Sequence, residues 1–521
     1  MRKFFAILLI LFLSFSFADA QLKHNVKTPS DPVAMELPES EKGVVLDTLM
    51  QDSKIYPGTR RRVQVYVPVQ YDASKPACLV VGLDGNLFNA ITVIGNLIKS
   101  GEMPVAIGVF VEPGVIYAPD GSVVRYNRSN EFDRTNGEFA SFLESEVLPM
   151  VESMTLPDGK PILISKDPND RAITGASSSG IAAFTVAWER PDLFSRVYSS
   201  VGTFVAMRGG NEYPAIIRKS EPKPLRIFLQ DGVNDTWNHI FGDWWEYNQL
   251  MSSALNFAGY EFDFKWDRGT HSIYYGTRAY PDAMRWLWRG WPAAVERGKS
   301  MNGMLESLLV DGEEWQPVEC IPAELVQLES GIDNAKIYGK QIKGDIANIC
   351  CLNGGSAYIS DLNGNLWYAC NSKKPVKLNT LENGASQFAI YPNHRMLITS
   401  EKNSNWLISY VIREDGTLEA GQRFYWLHDI YNHTQQPVGN MVFDTHGNLY
   451  VATAMGIQVC DQNGRVRAIL APAGKSNVEK VYLSGNRLFA LAGGKWYVLN
   501  VEHTGYEPSQ GPIDVKSQGQ G

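Results

Sequence analysis

Little in this 521-residue chain invites a disulfide framework, a zinc cluster or a nucleic acid. It has six cysteines, Cys78, Cys320, Cys350, Cys351, Cys370 and Cys460, too few for a disulfide scaffold and at spacings that match no zinc motif. One bridge in the second half stays open, with no pairing to assign. Lysine and arginine number 48 against 56 aspartates and glutamates, a net charge of −8; with no basic run, nucleic acid is excluded as the expected partner. Beyond residue 20 no apolar stretch is long enough to cross a bilayer. Histidine is scarce too. There are eight, and in the first half beyond the leader and its tail only His239 and His271 remain.

What is present begins with Met1–Ala20, a basic start, an apolar stretch and an Ala18-x-Ala20 ending, the pattern of a secretory signal peptide. No cysteine stands near the cleavage point, so a lipid anchor is unsupported. The expected mature protein is exported, to the periplasm or beyond, and not inserted in a membrane. The length implies two domains plus extras. We place an N-terminal extension at 21–54, a first domain at 55–295 and a linker at 296–321, where Gly298, Gly303, Gly312 and Asp311-Gly-Glu-Glu314 weaken the periodicity. A second domain of short strands at 322–505 and a disordered tail at 506–521 follow.

The run Arg171-Ala-Ile-Thr-Gly-Ala-Ser-Ser-Ser-Gly180 joins a strand-like segment to a helix in which Ile181, Ala182, Ala183, Phe184, Ala187 and Trp188 recur until Pro191. Such a junction can expose Ser177 on a sharp turn and offer free helix N–H groups to an oxyanion. Gly175 and Gly180 supply room, and Ser179 stands where the Gly-x-Ser-x-Gly pattern has its second glycine. A hydroxyl nucleophile needs a base. His271 follows the alternating Tyr260, Phe262, Phe264 and Trp266 and the turn Arg268-Gly-Thr270, which puts it at a strand's exit. His239, among Trp237, Phe241, Trp244 and Trp245, suits an aromatic wall better. The strand Leu225–Gln230 exits through Asp231-Gly-Val-Asn-Asp235. Asp235 is the preferred orienting acid, and Asp231, the alternative, can instead bond turn amides. The order Ser177, Asp235, His271 is that of α/β-hydrolase folds. Cys78–Leu83 reads as a strand buried on both faces, and the loop after it, Asp84-Gly-Asn-Leu-Phe88, offers Gly85 or Asn86 as a second oxyanion donor beside the amide of Ser178.

These residues carry a family resemblance over about 55–295. Val63-Gln-Val-Tyr-Val-Pro68, Gly82-Leu-Asp-Gly85, Asn127-Arg-Ser-Asn-Glu-Phe-Asp133, Phe142–Pro149, the serine elbow, Arg190-Pro-Asp-Leu-Phe194 and Gly-Thr-His271 resemble, in order, the esterase family that includes enterochelin esterases, S-formylglutathione hydrolase and the feruloyl and acetyl-xylan esterases of carbohydrate esterase family 1. The resemblance implies an α/β-hydrolase fold and cofactor-free hydrolysis of carboxylic esters, with Ser177 as nucleophile, His271 as base and Asp235 as acid. It also puts Asn127–Asp133 on the substrate side, making Arg128 and Glu131 binding candidates, with a surface ion pair as the alternative. Trp237 and Trp244, with Trp245 beside them, suit an aromatic acyl group or a sugar face, or packing of the helix that follows.

In the second half, Ala357–Ser360, Met396–Thr399, Leu449–Ala452 and Leu488–Leu491 repeat an apolar strand beside Gly/Asn turns. Tyr358, Leu397, Tyr450 and Phe489 lie 39, 53 and 39 residues apart, near the period of a β-propeller of four or five blades; a β-sandwich is the alternative. Gly439–Thr453 with Gly456–Asp461 resembles the gluconolactonase/SMP-30 propeller family. By that resemblance Gly439 stands where a metal-binding aspartate is expected, and Ser386 where an asparagine ligand is expected, so no metal is expected there. The first-half resemblance leads to an exported serine esterase acting on feruloyl or acetyl groups of plant polysaccharide. The alternatives are a siderophore-ester hydrolase and a carbohydrate-binding protein or propeller lactonase without esterase activity.

Overall fold

The computed structural model describes residues 31–319, 345–370, 374–378, 387–401, 404–429 and 438–516, together with residues 325, 341 and 342. The signal-peptide segment, Cys320 and Ser386 lie outside the described residues.

The first domain is built on one eight-stranded sheet. Its strands are β1 (Val44–Met50), β2 (Arg61–Val67), β3 (Cys78–Leu83), β4 (Ala106–Val111), β5 (Arg171–Ala176), β6 (Arg196–Ser200), β7 (Arg226–Gly232) and β8 (Glu261–Asp267), in the order β1-β2-β4-β3-β5-β6-β7-β8. Only β2 runs against its neighbours; every other join is parallel. Strands β3 to β7 are buried along their whole length, and β3 and β4 accordingly read as near-continuous apolar runs instead of alternating ones. Leu79, Val81 and Leu83 of β3 pack with the helices Ser178–Glu189 and Trp244–Phe257 on one face. Cys78 and Val80 pack with Ala90–Lys99 and Ile273–Trp288 on the other. This is the α/β-hydrolase architecture.

The second domain is all-β. Four antiparallel four-stranded sheets span 346–378, 388–426, 441–470 and 478–500, the last completed by Gln316–Val318 pairing with Lys495–Asn500. The inner strand Phe388–Ile390 lies beside Ile346–Cys351 on one side and Met441–Phe443 on the other, and Met441–Phe443 lies beside Val478–Ser484. The result is a four-bladed, propeller-like arrangement. Tyr358, Leu397, Tyr450 and Phe489 each fall in the second strand of a blade and are fully buried, so the repeat in the sequence is the hydrophobic centre of successive blades. Between strands, Asp361, Asp444 and Asp461 each accept the amides two and four residues on. A glycine three residues on, at φ of +79°, +78° and +75°, turns the chain.

Three expected boundaries differ. The extension 21–54 contains β1, paired along β2, and Asp31, whose carboxylate takes Arg285 at 2.8 Å, so its described part belongs to the first domain. The half-exposed pattern of β1, an edge strand, hid it. The linker 296–321 supplies the closing strand at 316–318, and it also supplies Asn302, which donates to Arg218 O at 2.9 Å and Arg467 O at 2.8 Å and so ties the two domains. The described part of the tail, 506–516, is packed on the second domain: Tyr506 is buried, its hydroxyl bonded to His394 Nε2 at 2.7 Å and Gly511 O at 2.6 Å. The five described cysteines are all free.

Asn302→Ala removes both interdomain bonds and the N-cap to Met304 N. At about 1 kcal/mol per bond, the variant should unfold at lower temperature in calorimetry, with its two domain transitions further apart than in the wild type.

Candidate active site

Strand β5 ends at Ala176, and the chain turns into the helix Ser178–Glu189 through Ser177, whose backbone is at φ 58°, ψ −122°. A non-glycine residue in that conformation is strained and persists only where its surroundings hold it. Here a Cβ on Gly175 would lie 2.1 Å from Ser179 O, and one on Gly180 would lie 2.9 Å from Ser199 Oγ. Small residues therefore let the strand, helix and β6 close around the turn. Ser179 is fully buried; its hydroxyl donates to Ala176 O at 2.7 Å and accepts from Ala176 N at 2.8 Å. The departure from the second glycine of the pattern thus adds a clamp to the elbow.

The turn aims Ser177 Oγ at His271. His271 Nε2 lies 2.7 Å from Ser177 Oγ and Nδ1 lies 2.7 Å from Asp235 Oδ1. His271 follows β8, while Asp235 is carried on the loop after β7 with its side chain fully buried. Burial alone would push the Asp235 carboxyl up; its hydrogen bonds to His271 and Asp231, the His271 charge and the Thr236 amide outweigh this and hold it below the usual aspartate value. A serine, an imidazole and a carboxylate in this chain of contacts can pass a proton from the hydroxyl to the ring while the carboxylate fixes the ring's orientation.

The amide of Ser178, at the first turn of its helix, has no acceptor among the described residues, and the same holds for the amide of Asn86. Gly85 is different: its amide donates to Val111 O at 3.2 Å, so Gly85 is removed from the expected oxyanion donors and Asn86 is retained. Arg128 is engaged within the protein, with a third of its side chain exposed. Its guanidinium makes a two-pronged contact with Asp84 at 2.8 and 2.6 Å, which fastens the Asp84–Asn86 loop, itself turned at φ +63° and +79° for Asp84 and Gly85. Glu131 is corrected outright. It is fully buried in a paired contact with Arg61 at 2.6 and 2.9 Å, bonds that also meet Gly114 N and Asn127, so it shapes the domain and does not face a substrate.

Trp237 sits on a short hairpin, Trp237–Asn238 with Gly242–Asp243, and is 68 % exposed beside the triad's acid loop. Trp244 is buried instead. Its ring meets His271 edge-on at 5.7 Å and its indole N–H reaches Thr203 Oγ1 at 3.3 Å. Thr203, which the sequence did not single out, lies 3.3 Å from Ser177 Oγ. His239 is near Trp237 and away from the triad contacts. Trp245 packs on Trp266.

Residues 54–272 match the family described as "Putative esterase". This segment is an esterase-family domain. Among solved structures, the chain is similar to the enterobactin esterase from Shigella flexneri with 2,3-dihydroxy-N-benzoyl-glycine (18 % identity, 51 % of this chain and 63 % of that one, TM-score 0.39). It is also similar to a ferulic acid esterase (16 %, 48 % and 98 %, 0.36) and to an S954A mutant of a feruloyl esterase module from Clostridium thermocellum complexed with sinapinate (15 %, 52 % and 96 %, 0.36). The chain thus spans less than two thirds of the Shigella esterase. No curated protein matches.

In the propeller-like domain, Gly439 lines an inner cavity with Asn348, Gln387 and Asn440. A Cβ at 439 would lie 2.4 Å from Glu479 O, leaving no room for a metal-binding side chain. One cluster of potential metal ligands exists among the described residues, Asp444, His446 and His503. Asp444 already accepts from two amides, Asn448 Nδ2, Tyr450 Oη and His503 Nδ1, so its lone pairs serve the turn.

Ser179→Ala leaves the Ala176 amide without its hydroxyl partner. Urea denaturation should report a loss of about 1–3 kcal/mol; unchanged stability would mean that the clamp does not hold the elbow.

Proposed function

We propose that the protein is an exported serine carboxylic-ester hydrolase that removes feruloyl or acetyl groups from plant polysaccharide. The observation that carries the chemistry is the unbroken contact chain from Ser177 Oγ through His271 to Asp235, each link 2.7 Å, on an esterase-family domain. Ser177 attacks the ester carbonyl while His271 Nε2 takes its proton, and Asp235 steadies the resulting imidazolium. The Ser178 and Asn86 amides receive the oxyanion. His271 returns the proton to the leaving alcohol, then activates water to release the acid from the acyl-enzyme. These residues complete the cycle among themselves.

The choice of acyl group rests on Trp237, an exposed ring on the hairpin next to the acid loop and a surface suited to the face of a phenolic acyl group or a sugar. Export is inferred from Met1–Ala20. A siderophore ester would ask for free basic groups at the site, and Arg128 is committed to Asp84; this favours the polysaccharide ester.

The purified mature protein should hydrolyse p-nitrophenyl acetate and methyl ferulate, with Ser177→Ala and His271→Ala each lowering kcat by about 10³-fold or more. Trp237→Ala should raise KM for methyl ferulate and leave that for p-nitrophenyl acetate unchanged. A wild type silent on both esters, or equally active after Ser177→Ala, sinks the reading.

A further inference from the structure

Strand β7 delivers two carboxylates, and the catalytic proposal uses only the second. Asp231 is fully buried at the strand's end, its Oδ1 accepting the Gly232 amide at 2.7 Å. Its Oδ2 has no donor, and neither has Oδ2 of Asp235. Asp235 Oδ1 is occupied by His271 Nδ1 and the Thr236 amide. The turn in which the Asp235 amide donates to Gly232 O at 2.9 Å folds Asp235 back toward the strand end that carries Asp231, and each brings a buried carboxylate oxygen that meets no donor among the described residues. Left ionised together they would repel at close range in a low-dielectric setting, and each would carry an unmet lone pair. One proton placed between them removes both costs.

We propose, building on the ester-hydrolase reading, that Asp231 is a positioning residue: it is the neutral carboxylic acid of the pair and donates Oδ2–H to Asp235 Oδ2, which locks the Asp235 carboxylate with Oδ1 toward His271. The assignment of the proton follows from the surroundings. Asp235 faces the cationic form of His271 and two donors on Oδ1, which favour its charge. Asp231 has a single amide donor and two acidic neighbours, Asp235 and Asp267. Burial first, then the bond to and charge of Asp235, push the Asp231 carboxyl well above the usual aspartate range. The pair therefore holds one proton at neutral pH, and the triad carries one negative charge and not two.

Two substitutions separate this role from simple filling of space. Asp231→Asn keeps the shape and a donor to Asp235 but has no proton to lose; Asp231→Leu keeps the bulk and removes the donor. For methyl ferulate at pH 7, Asp231→Asn should stay within about threefold of the wild type in kcat/KM. Asp231→Leu should lose about tenfold or more, through kcat with KM unchanged. Infrared difference spectra at neutral pH, wild type minus Asp231→Asn, should contain a protonated-carboxyl carbonyl band that is lost only at alkaline pH and is also present in Ser177→Ala. Absence of that band, or an asparagine variant as impaired as the leucine one, overturns the inference. If Asp231→Leu fails to fold, the band and the asparagine variant still decide. If the wild type shows no Ser177-dependent hydrolysis, the functional reading fails, while the infrared result still tests the shared proton.

Discussion

The strained backbone at Ser177 is the constraint on which the rest of the first domain depends. A residue at φ 58° with a full side chain has no intrinsic reason to stay there. It is held from three directions: β5 is anchored between β3 and β6, the helix Ser178–Glu189 is buried throughout, and Ser179 bonds both backbone groups of Ala176. The sheet thus supplies the rigidity that a surface turn lacks. The same logic accounts for the loop after β3, where Asp84 and Gly85 also take positive φ and Arg128 fixes the result from outside the sheet.

Charge within the first domain is largely held in pairs. Arg128 meets Asp84, Arg61 meets Glu131, and Asp235 meets His271. Each of these pairs is in hydrogen-bonding geometry, the condition under which charges can be tolerated out of water. The polar groups around Ser177 are thus held in place before any substrate arrives, so little reorganisation is required when charge develops on an ester oxygen.

Much of this was legible in the residues. Ser177, Asp235 and His271 could be picked out because each sits at a strand exit, and strand exits announce themselves by an apolar run followed by Gly, Asp or Asn. The blades of the second domain were legible through the spacing of Tyr358, Leu397, Tyr450 and Phe489. What was hidden depends on contacts made across the fold. Glu131 and Arg61 are 70 residues apart in sequence, so nothing local marks them as a buried pair. The amide of Gly85 is spent on Val111 of the neighbouring strand, a pairing no loop motif encodes. Thr203 reaches Ser177 only because β6 lies beside β5, and β1 escaped notice because an edge strand with one wet face has no continuous apolar signal.

The way the last blade is assembled bears on how the chain matures. Its outermost strand, Gln316–Val318, precedes the other three blades in sequence, while its partner, Lys495–Asn500, is near the other end. A chain emerging from a ribosome could complete the whole first sheet, whose final strand ends at Asp267, long before that partner exists. The second domain has no such head start: its edge strand must wait, unpaired, through nearly all of its own synthesis. The last blade can be completed only once its terminal strands arrive, and until then its edge strand is open to mispairing.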